Sequence, residues 1–360
     1  MHRQKRVYVV QYGLGLVGRA LLRQMLAGRE RLRERTGLEV THLALADSRG
    51  LLADGHGLSP EALSQALAAK ERGTDLAHQP GGQPRGEDLS FLPPEAGPVV
   101  VVDVTAADGM DSIALEALSR GYAVVLANKR PLAGPLATFR RLTASPFVRF
   151  EATVGAGLPW IETLHHLLDT GDRVLRLEAA VSGTIGYILG QLEAGVRFSA
   201  AVREACVRGY AEPDPRDDLA AADVRRKALI LARMLGQALE WDGLPAEPLY
   251  PRAWDTLDLP AFMDELPALD RPYAERMSAA LAVGQTLRYV VEIGEGGAGC
   301  GLHQVTRDSS LGALRGPTCL LTIWTERYAS DPLTISGPGA GAEVTAAGVY
   351  ADIIALGREL

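Results

Sequence analysis

Cysteine is scarce in this chain: three residues in 360, at Cys206, Cys300 and Cys319, with no C-x-x-C pair. So sparse and odd a set argues against a disulfide framework and fits a reducing compartment. Long apolar runs are lacking too; none approaches the ~20 residues that span a bilayer. The opening MHRQKRVYVVQYGLGLVG is too short in its apolar part and too rich in glycine for a signal peptide, and Arg19 soon follows. A nucleic-acid binder's basic stripe is missing. The formal net charge is −7, and Arg29, Arg31, Arg33 and Arg35 interleave with Glu30 and Glu34 as on a solvated helix face. The histidines show no metal-ligand spacing, and the adjacent His165 and His166 cannot share one face of a helix. These absences leave a cytoplasmic protein that binds neither nucleic acid nor membrane.

Apolar residues, at 47%, supply ample core, and the length is comfortable for two domains. Val7–Gln11 is a short β-branched run ending in glycines, Arg19–Leu26 has helical apolar spacing, and Val40–Ala46 is the next strand, so the chain opens as a βαβ unit. Gly50–Asp88 departs from that pattern. It holds a helix-like SPEALSQALAAKE with Ser59 as N-cap, then a Gly/Pro-rich loop at His78–Gly86, and is expected to leave the sheet. Val99–Thr105 and Ala123–Ala127 are near-continuous apolar strands, as in a parallel sheet covered on both faces, with a helix at Ser112–Arg120 between them. Later strands at Val174–Val181, Thr286–Ile293 and Cys319–Trp324, with helices at Ser199–Arg208 and Asp223–Leu235, form an α+β domain whose sheet carries helices on one face. Val344–Leu356 is helical and follows the glycine run Gly337–Gly341. The fold class is therefore α/β: a Rossmann cofactor domain over 1–145, an α+β substrate and dimerisation domain over 146–336, and a C-terminal segment, 337–360, returning to the cofactor domain.

Gly13, Gly15 and Gly18 form G-x-G-x-x-G between the first strand and the first helix, with Leu14, Leu16 and Val17 between them. The first glycine permits the tight turn, the second lets the backbone approach a pyrophosphate, and the third allows close helix–strand packing. The phosphates then lie at a helix N-terminus, where free N–H groups favour anions. The second strand ends in Asp47-Ser48-Arg49. Asp47 suits the ribose diol of NAD, whereas Ser48 and Arg49 suit the 2′-phosphate of NADP, and Asp47 also reads as a turn cap. The choice between NAD and NADP stays open.

Three segments identify a family: Ala127-Asn128-Lys129-Arg130-Pro131-Leu132-Ala133, then Glu151 through Pro159 (EATVGAGLP), then Gly209 through Leu219 (GYAEPDPRDDL) continuing to Asp223 and Lys227. Together with Val181-Ser182-Gly183-Thr184 and the C-terminal GAGAEVTAAG at 339–348, they closely resemble homoserine dehydrogenase, in that family's order across most of the chain. Residues 308–321 fit that family's text poorly, and 241–276 are uninformative. The resemblance implies reversible NAD(P)H-dependent reduction of L-aspartate 4-semialdehyde to L-homoserine, on the way to threonine and methionine. It also implies a short, monofunctional homodimer without an ACT domain.

Asp223 and Lys227, spaced i, i+4, share a helix face; spacing alone equally describes an exposed salt bridge. Asp218 precedes that helix and Glu212 lies in the proline-rich loop before it, so three carboxylates surround one lysine, as suits a cationic amino-acid substrate. The resemblance makes Lys227 the acid/base, with Glu212 and Asp223 on the substrate, Asp218 in support, and Gly183 and Thr184 also on the substrate side. Lys129, at a cofactor-domain strand end, is expected in the same cleft, where two partly desolvated lysines would depress at least one pKa towards neutrality. Thr105, Gly209 and Gly341 are carried over as cofactor neighbours. The segment Glu151–Leu158 offers no side-chain cage. The resemblance implies that the backbone of Glu151, Val154, Ala156 and Leu158 holds Na+ or K+; a purely structural turn is the other reading. Two competing functions remain. An aldehyde-oxidising dehydrogenase would need a thiolate nucleophile, and no cysteine has an evident base nearby. A non-catalytic dinucleotide sensor would have no use for the Glu212, Asp218, Asp223 and Lys227 set.

Overall fold

A computed structural model of the chain describes residues 5–86, 88–93 and 97–360. Met1–Gln4, the head of the stretch weighed as a signal peptide, and Glu87 lie outside them. Contacts divide the chain into two compact units, one made of the chain up to Gly157 with Gly341–Leu360, the other of Leu158–Ala340. No helix among the described residues is long and apolar enough to cross a membrane.

The first unit runs β1 (Lys5–Tyr12), α1 (Leu16–Thr36), β2 (Leu38–Ala46), β3 (Gly50–Ala53), α2 (Pro60–Glu71), β4 (Gly82–Pro84), β5 (Val99–Asp103), α3 (Met110–Ser119), β6 (Ala123–Leu126), α4 (Arg130–Ala133), α5 (Leu136–Thr143) and β7 (Val148–Arg149). These strands form one sheet in the order β4-β3-β2-β1-β5-β6-β7. The five from β2 to β7 are parallel, while β3 and β4 join antiparallel at the edge. Residues 50–88 thus do not leave the sheet entirely, as their composition led one to expect: Gly50–Ala53 and Gly82–Pro84 extend it. Both runs are too short and too rich in glycine and proline to show strand periodicity, so the pairing that makes them strands is tertiary. The intervening α2 starts as expected, with the Ser59 side chain accepting from the Ala62 amide.

The domain boundary expected at 145 falls at 157/158, because β7 extends the sheet and the turn after it packs against the last helix. That C-terminal helix, Ala342–Glu359, belongs to the first unit. Its Ala346, Val349, Ile353 and Leu356 are buried in one core with Val7 and Val9 of β1, Leu21 of α1 and Val100 of β5. The helix comes close enough that a Cβ added at Gly348 would lie 2.6 Å from the Ala156 carbonyl oxygen and 3.1 Å from the Gly157 Cα.

The second unit contains α6 (Trp160–Asp169), β8 (Val174–Ala180), α7 (Gly183–Glu193), α8 (Phe198–Val207), α9 (Arg216–Leu219), α10 (Ala222–Met234), α11 (Leu259–Glu265), α12 (Asp270–Ala282), β9 (Gln285–Gly294), β10 (Gly297–Thr306), β11 (Thr318–Thr325) and β12 (Leu333–Pro338). The five strands form an antiparallel sheet, β10-β9-β8-β11-β12, on which α7, α10 and α12 pack. Strand β10 escapes a periodicity reading because glycine alternates at 297, 299 and 301. The reason is close approach: the Cys300 amide donates to the Pro245 carbonyl, and a Cβ at Gly299 would sit 3.2 Å from the Pro245 ring.

Replacing Gly348 by alanine forces backbone apart at the Ala156 turn. We expect Gly348→Ala to cost about 1–3 kcal/mol and to lower Tm by several degrees in calorimetry; an unchanged Tm would show that the helix is not seated this tightly.

Candidate active site

On the first unit, β1 passes through the glycine turn into α1. The φ of +103° at Gly13 admits only glycine at ease, and a Cβ there would strike the Val104 backbone at 2.9 Å. At Gly18 a Cβ would stand 2.0 Å from the Gly13 carbonyl oxygen. Gly15 differs: it caps α1 in extended conformation and a Cβ would meet no protein atom within 4 Å. Two glycines are therefore demanded by protein packing, whereas the middle one leaves the helix head open. Leu14 is buried beside the turn, and Leu16 is 71% exposed at the start of α1, next to Val17.

The Asp47 carboxylate is held by protein groups on both oxygens. Oδ2 accepts from Lys70 Nζ at 2.8 Å and the Leu76 amide at 2.9 Å; Oδ1 accepts from the Gly50 and Arg49 amides at 2.7 and 2.9 Å. Burial works against the charged form, yet Lys70 and the three amides outweigh it and hold the carboxyl below its ordinary range. Of the two sequence readings, the turn cap describes its contacts. Ser48 and Arg49 are exposed on the same turn, Arg49 reaching Asp75 only at 3.8 Å, and Arg85 lies over the Tyr12 ring with Nη1 donating to the Asp47 carbonyl at 3.4 Å.

At the ends of β5 and β6 stands a buried set that composition did not single out. Asp103 Oδ1 accepts from the Thr105 amide and hydroxyl at 2.9 and 2.7 Å; its Oδ2 accepts from Asn128 Nδ2 at 3.0 Å. Asn128 also donates to the Ala107 carbonyl. Burial pushes the Asp103 carboxyl up. The visible clue was an acid inside a run of valines. Lys129 follows directly, as the residue before α4. Beyond it, Glu151, Val154 and Ala156 form a tight turn in which Gly155 and Ala156 have positive φ, and the Glu151 amide donates to Asp352 at 2.9 Å. Leu158 opens the second unit, where its carbonyl accepts from the Trp160 amide. Gly341 caps the C-terminal helix with φ +113°. No cluster of three or more His, Cys, Asp or Glu side chains able to hold a metal occurs among the described residues.

On the second unit, Lys227 lies in α10 with its ammonium buried. It donates to the Val181 carbonyl at 2.7 Å and pairs with Asp223 at 2.8 Å. Asp223 stands one turn earlier, 46% exposed, so this is no exposed salt bridge at its lysine end. The Asp218 carboxylate on α9 accepts from the Glu212 amide at 2.9 Å, and the Thr184 hydroxyl donates to the Tyr210 carbonyl at 2.5 Å. The loop Gly209–Leu219 is thereby tied to the start of α7 at Gly183 and Thr184, with Glu212 exposed on it and Gly209 in a left-handed conformation after α8. Ala221, also left-handed at φ +57°, sets the entry of α10.

The sequence led us to expect a lysine pKa pulled towards neutrality. For Lys227 the direction is the reverse. Burial is the largest single influence and lowers it, but Asp223 above all, with Cys319 and Asp218, raises the net value above the ordinary one. Its second-unit partners are acidic, so the ammonium is kept. Lys227 acts on Cys319 only as a charge; kept as an ammonium, it is no base for that thiol. Burial nonetheless pushes that thiol up, as it does Cys300, to about 11, and Cys206. Neutral thiols do not serve a thioacyl route.

Two family models match: the homoserine dehydrogenase NAD binding domain over residues 13–146 and homoserine dehydrogenase over residues 159–354. The chain is 36% identical to the chloroplastic bifunctional aspartokinase/homoserine dehydrogenase 1 of Zea mays, over 97% of this chain and 38% of that protein. It is 36% identical to the homoserine dehydrogenase of Emericella nidulans, over 74% of this chain and 78% of that one. A solved structure of a hyperthermophilic archaeal homoserine dehydrogenase mutant in complex with NADPH has a TM-score of 0.75 at 25% identity, covering 99% of this chain and 98% of that chain. The chain thus spans less than half the length of the bifunctional maize relative. The dinucleotide turn of the first unit and the acid-ringed lysine of the second each fall inside a matched range, and the chain belongs to the homoserine dehydrogenase family of NAD(P)-dependent oxidoreductases.

Proposed function

We propose that this chain reduces L-aspartate 4-semialdehyde to L-homoserine, reversibly, with NADPH as the preferred hydride carrier. The observation that carries the chemistry is the buried, carboxylate-paired ammonium of Lys227. An ammonium has three N–H donors. Val181 and Asp223 take two, and the third is left for a substrate oxygen. In reduction Lys227 gives its proton to the oxygen that becomes the hydroxyl; in oxidation it must first be neutral to take that proton back. Glu212 and Asp223 bind the substrate's ammonium, Asp218 holds the Glu212 loop, and Gly183 and Thr184 offer the amide end of α7 to the carboxylate. Lys129, before α4 on the first unit, is proposed as a second catalytic cation and a cofactor contact.

The bound nicotinamide supplies or takes the hydride. Its holders are the Gly13–Gly18 turn with Leu14, Gly15, Leu16 and Val17, the Thr105 end of β5, and Gly209 and Gly341. The preference for NADPH is supported by Asp47: its carboxylate is already filled by Lys70 and three amides, while Ser48 and Arg49 are exposed and Arg85 is close, a cationic setting for a 2′-phosphate. The archaeal relative bound to NADPH accords with this. The reading includes Na+ or K+ on the carbonyls of Glu151, Val154, Ala156 and Leu158, and a homodimer working in the cytoplasm; the family resemblance alone supports these.

A spectrophotometric assay with homoserine and each of NAD+ and NADP+ tests activity and cofactor together; no reduction of either refutes the reading. Lys227→Ala should lower kcat by roughly 10²–10⁴-fold while NADPH still binds with little change; near-normal turnover would remove the lysine from the chemistry. Arg49→Ala should raise KM for NADPH about tenfold and leave that for NADH alone, and equal effects on both would discard the 2′-phosphate assignment. The raised pKa of Lys227 fixes a pH dependence. Homoserine oxidation needs the neutral amine, so its rate climbs with pH towards the lysine pKa, whereas semialdehyde reduction needs the ammonium and falls beyond it. Asp223→Asn removes the main raising charge and should move the oxidation profile to lower pH; an unmoved profile would assign the titration to another group.

A further inference from the structure

β1 turns Gln11 towards the α1 face, directly before the glycine turn. Its neighbours on that face, Val7 and Val9, are aliphatic and buried in the core. A fully buried carboxamide is costly unless its hydrogen bonds are made. Here Nε2 donates to the Gly13 and Gly18 carbonyls, each at 3.0 Å. Those oxygens bracket the glycine turn and converge where the chain is tightest, so without a donor between them they repel. A glutamine amide can face either way round, and only one way places N–H groups on two carbonyls. What holds that way round is His42, whose Nε2 lies 3.4 Å from Gln11 Oε1. The ring is fully enclosed, its pKa lowered by burial to about 4, so it is neutral and can give one N–H. It stands where β1 and β2 slip register, Val9 pairing with His42 but Val10 with Ala44, a break that re-aims side chains.

Resting on the reading of this turn as a dinucleotide site, we infer that Gln11, aimed by His42, is a positioning residue that sets the phosphate-receiving turn, so that both side chains govern cofactor affinity without touching cofactor or substrate.

The test titrates the full chain with NADPH, by nicotinamide fluorescence and without homoserine, then measures steady-state kinetics. Gln11→Met keeps length and bulk but removes the amide. It should weaken NADPH binding about tenfold, with kcat at saturating cofactor and KM for homoserine within about twofold of the parent. His42→Leu should weaken binding by several fold, His42→Gln, which keeps an N–H there, should restore it, and the Gln11→Met/His42→Leu double variant should be no weaker than Gln11→Met alone. Parent-like NADPH affinity in folded Gln11→Met, strict additivity of the two losses, or an equal loss in homoserine KM would overturn the inference. If Gln11→Met does not fold, the histidine pair decides: equal affinity in His42→Leu and His42→Gln overturns it. A parent chain that binds neither NADPH nor NADH would instead sink the dinucleotide reading itself.

Discussion

One burial governs the substrate side of this protein. An ammonium removed from water must be paired and hydrogen-bonded, or it gives up its proton. Lys227 keeps its proton because α10 puts Asp223 one turn before it and β8 runs out at Val181, whose carbonyl faces the same nitrogen. The surrounding structure serves that balance. Ala221 bends the chain into α10, Asp218 holds the Glu212 amide, and Thr184 fastens the head of α7 to Tyr210. A group so compensated is a proton donor first and an acceptor only when driven.

The dinucleotide side solves a different problem, holding a backbone shape. The glycine turn is packed so tightly that two of its three glycines answer to the protein itself. The acid at the end of β2 is likewise turned inward, neutralised by Lys70 of α2. The segment between β3 and β4 thus has a use that its loop-like composition hides: it brings a lysine to the carboxylate, while Arg49 faces outward.

Legibility in the sequence followed how local each feature is. The β1–turn–α1 unit, the valine strand β5, the N-cap of α2 and the i, i+4 pair on α10 are set by neighbours in the chain, and all were readable. Strands β3, β4 and β10 were not, because glycine and proline interrupt the pattern and only pairing makes them strands. The state of Asp47 depends on Lys70 and Leu76, that of Gln11 on His42, and that of Lys227 on Val181; each partner lies more than twenty positions away. For Lys227 the carboxylates, Asp223 first, prevail over burial, a balance that spacing alone does not give.

The helix that ends the chain lies in the core of the unit that begins it. Lys5 donates to the Arg358 carbonyl and Gln24 to Glu343, across 353 and 319 positions. Leaving the ribosome, the first unit therefore lacks a wall of its interior until residues 341–360 are made, while residues 158–340 are already complete. The middle of the polypeptide is free to mature before the beginning, which inverts the usual N-terminal-first order. Meanwhile the apolar faces of β1, α1 and β5 wait uncovered in the nascent chain for their last helix.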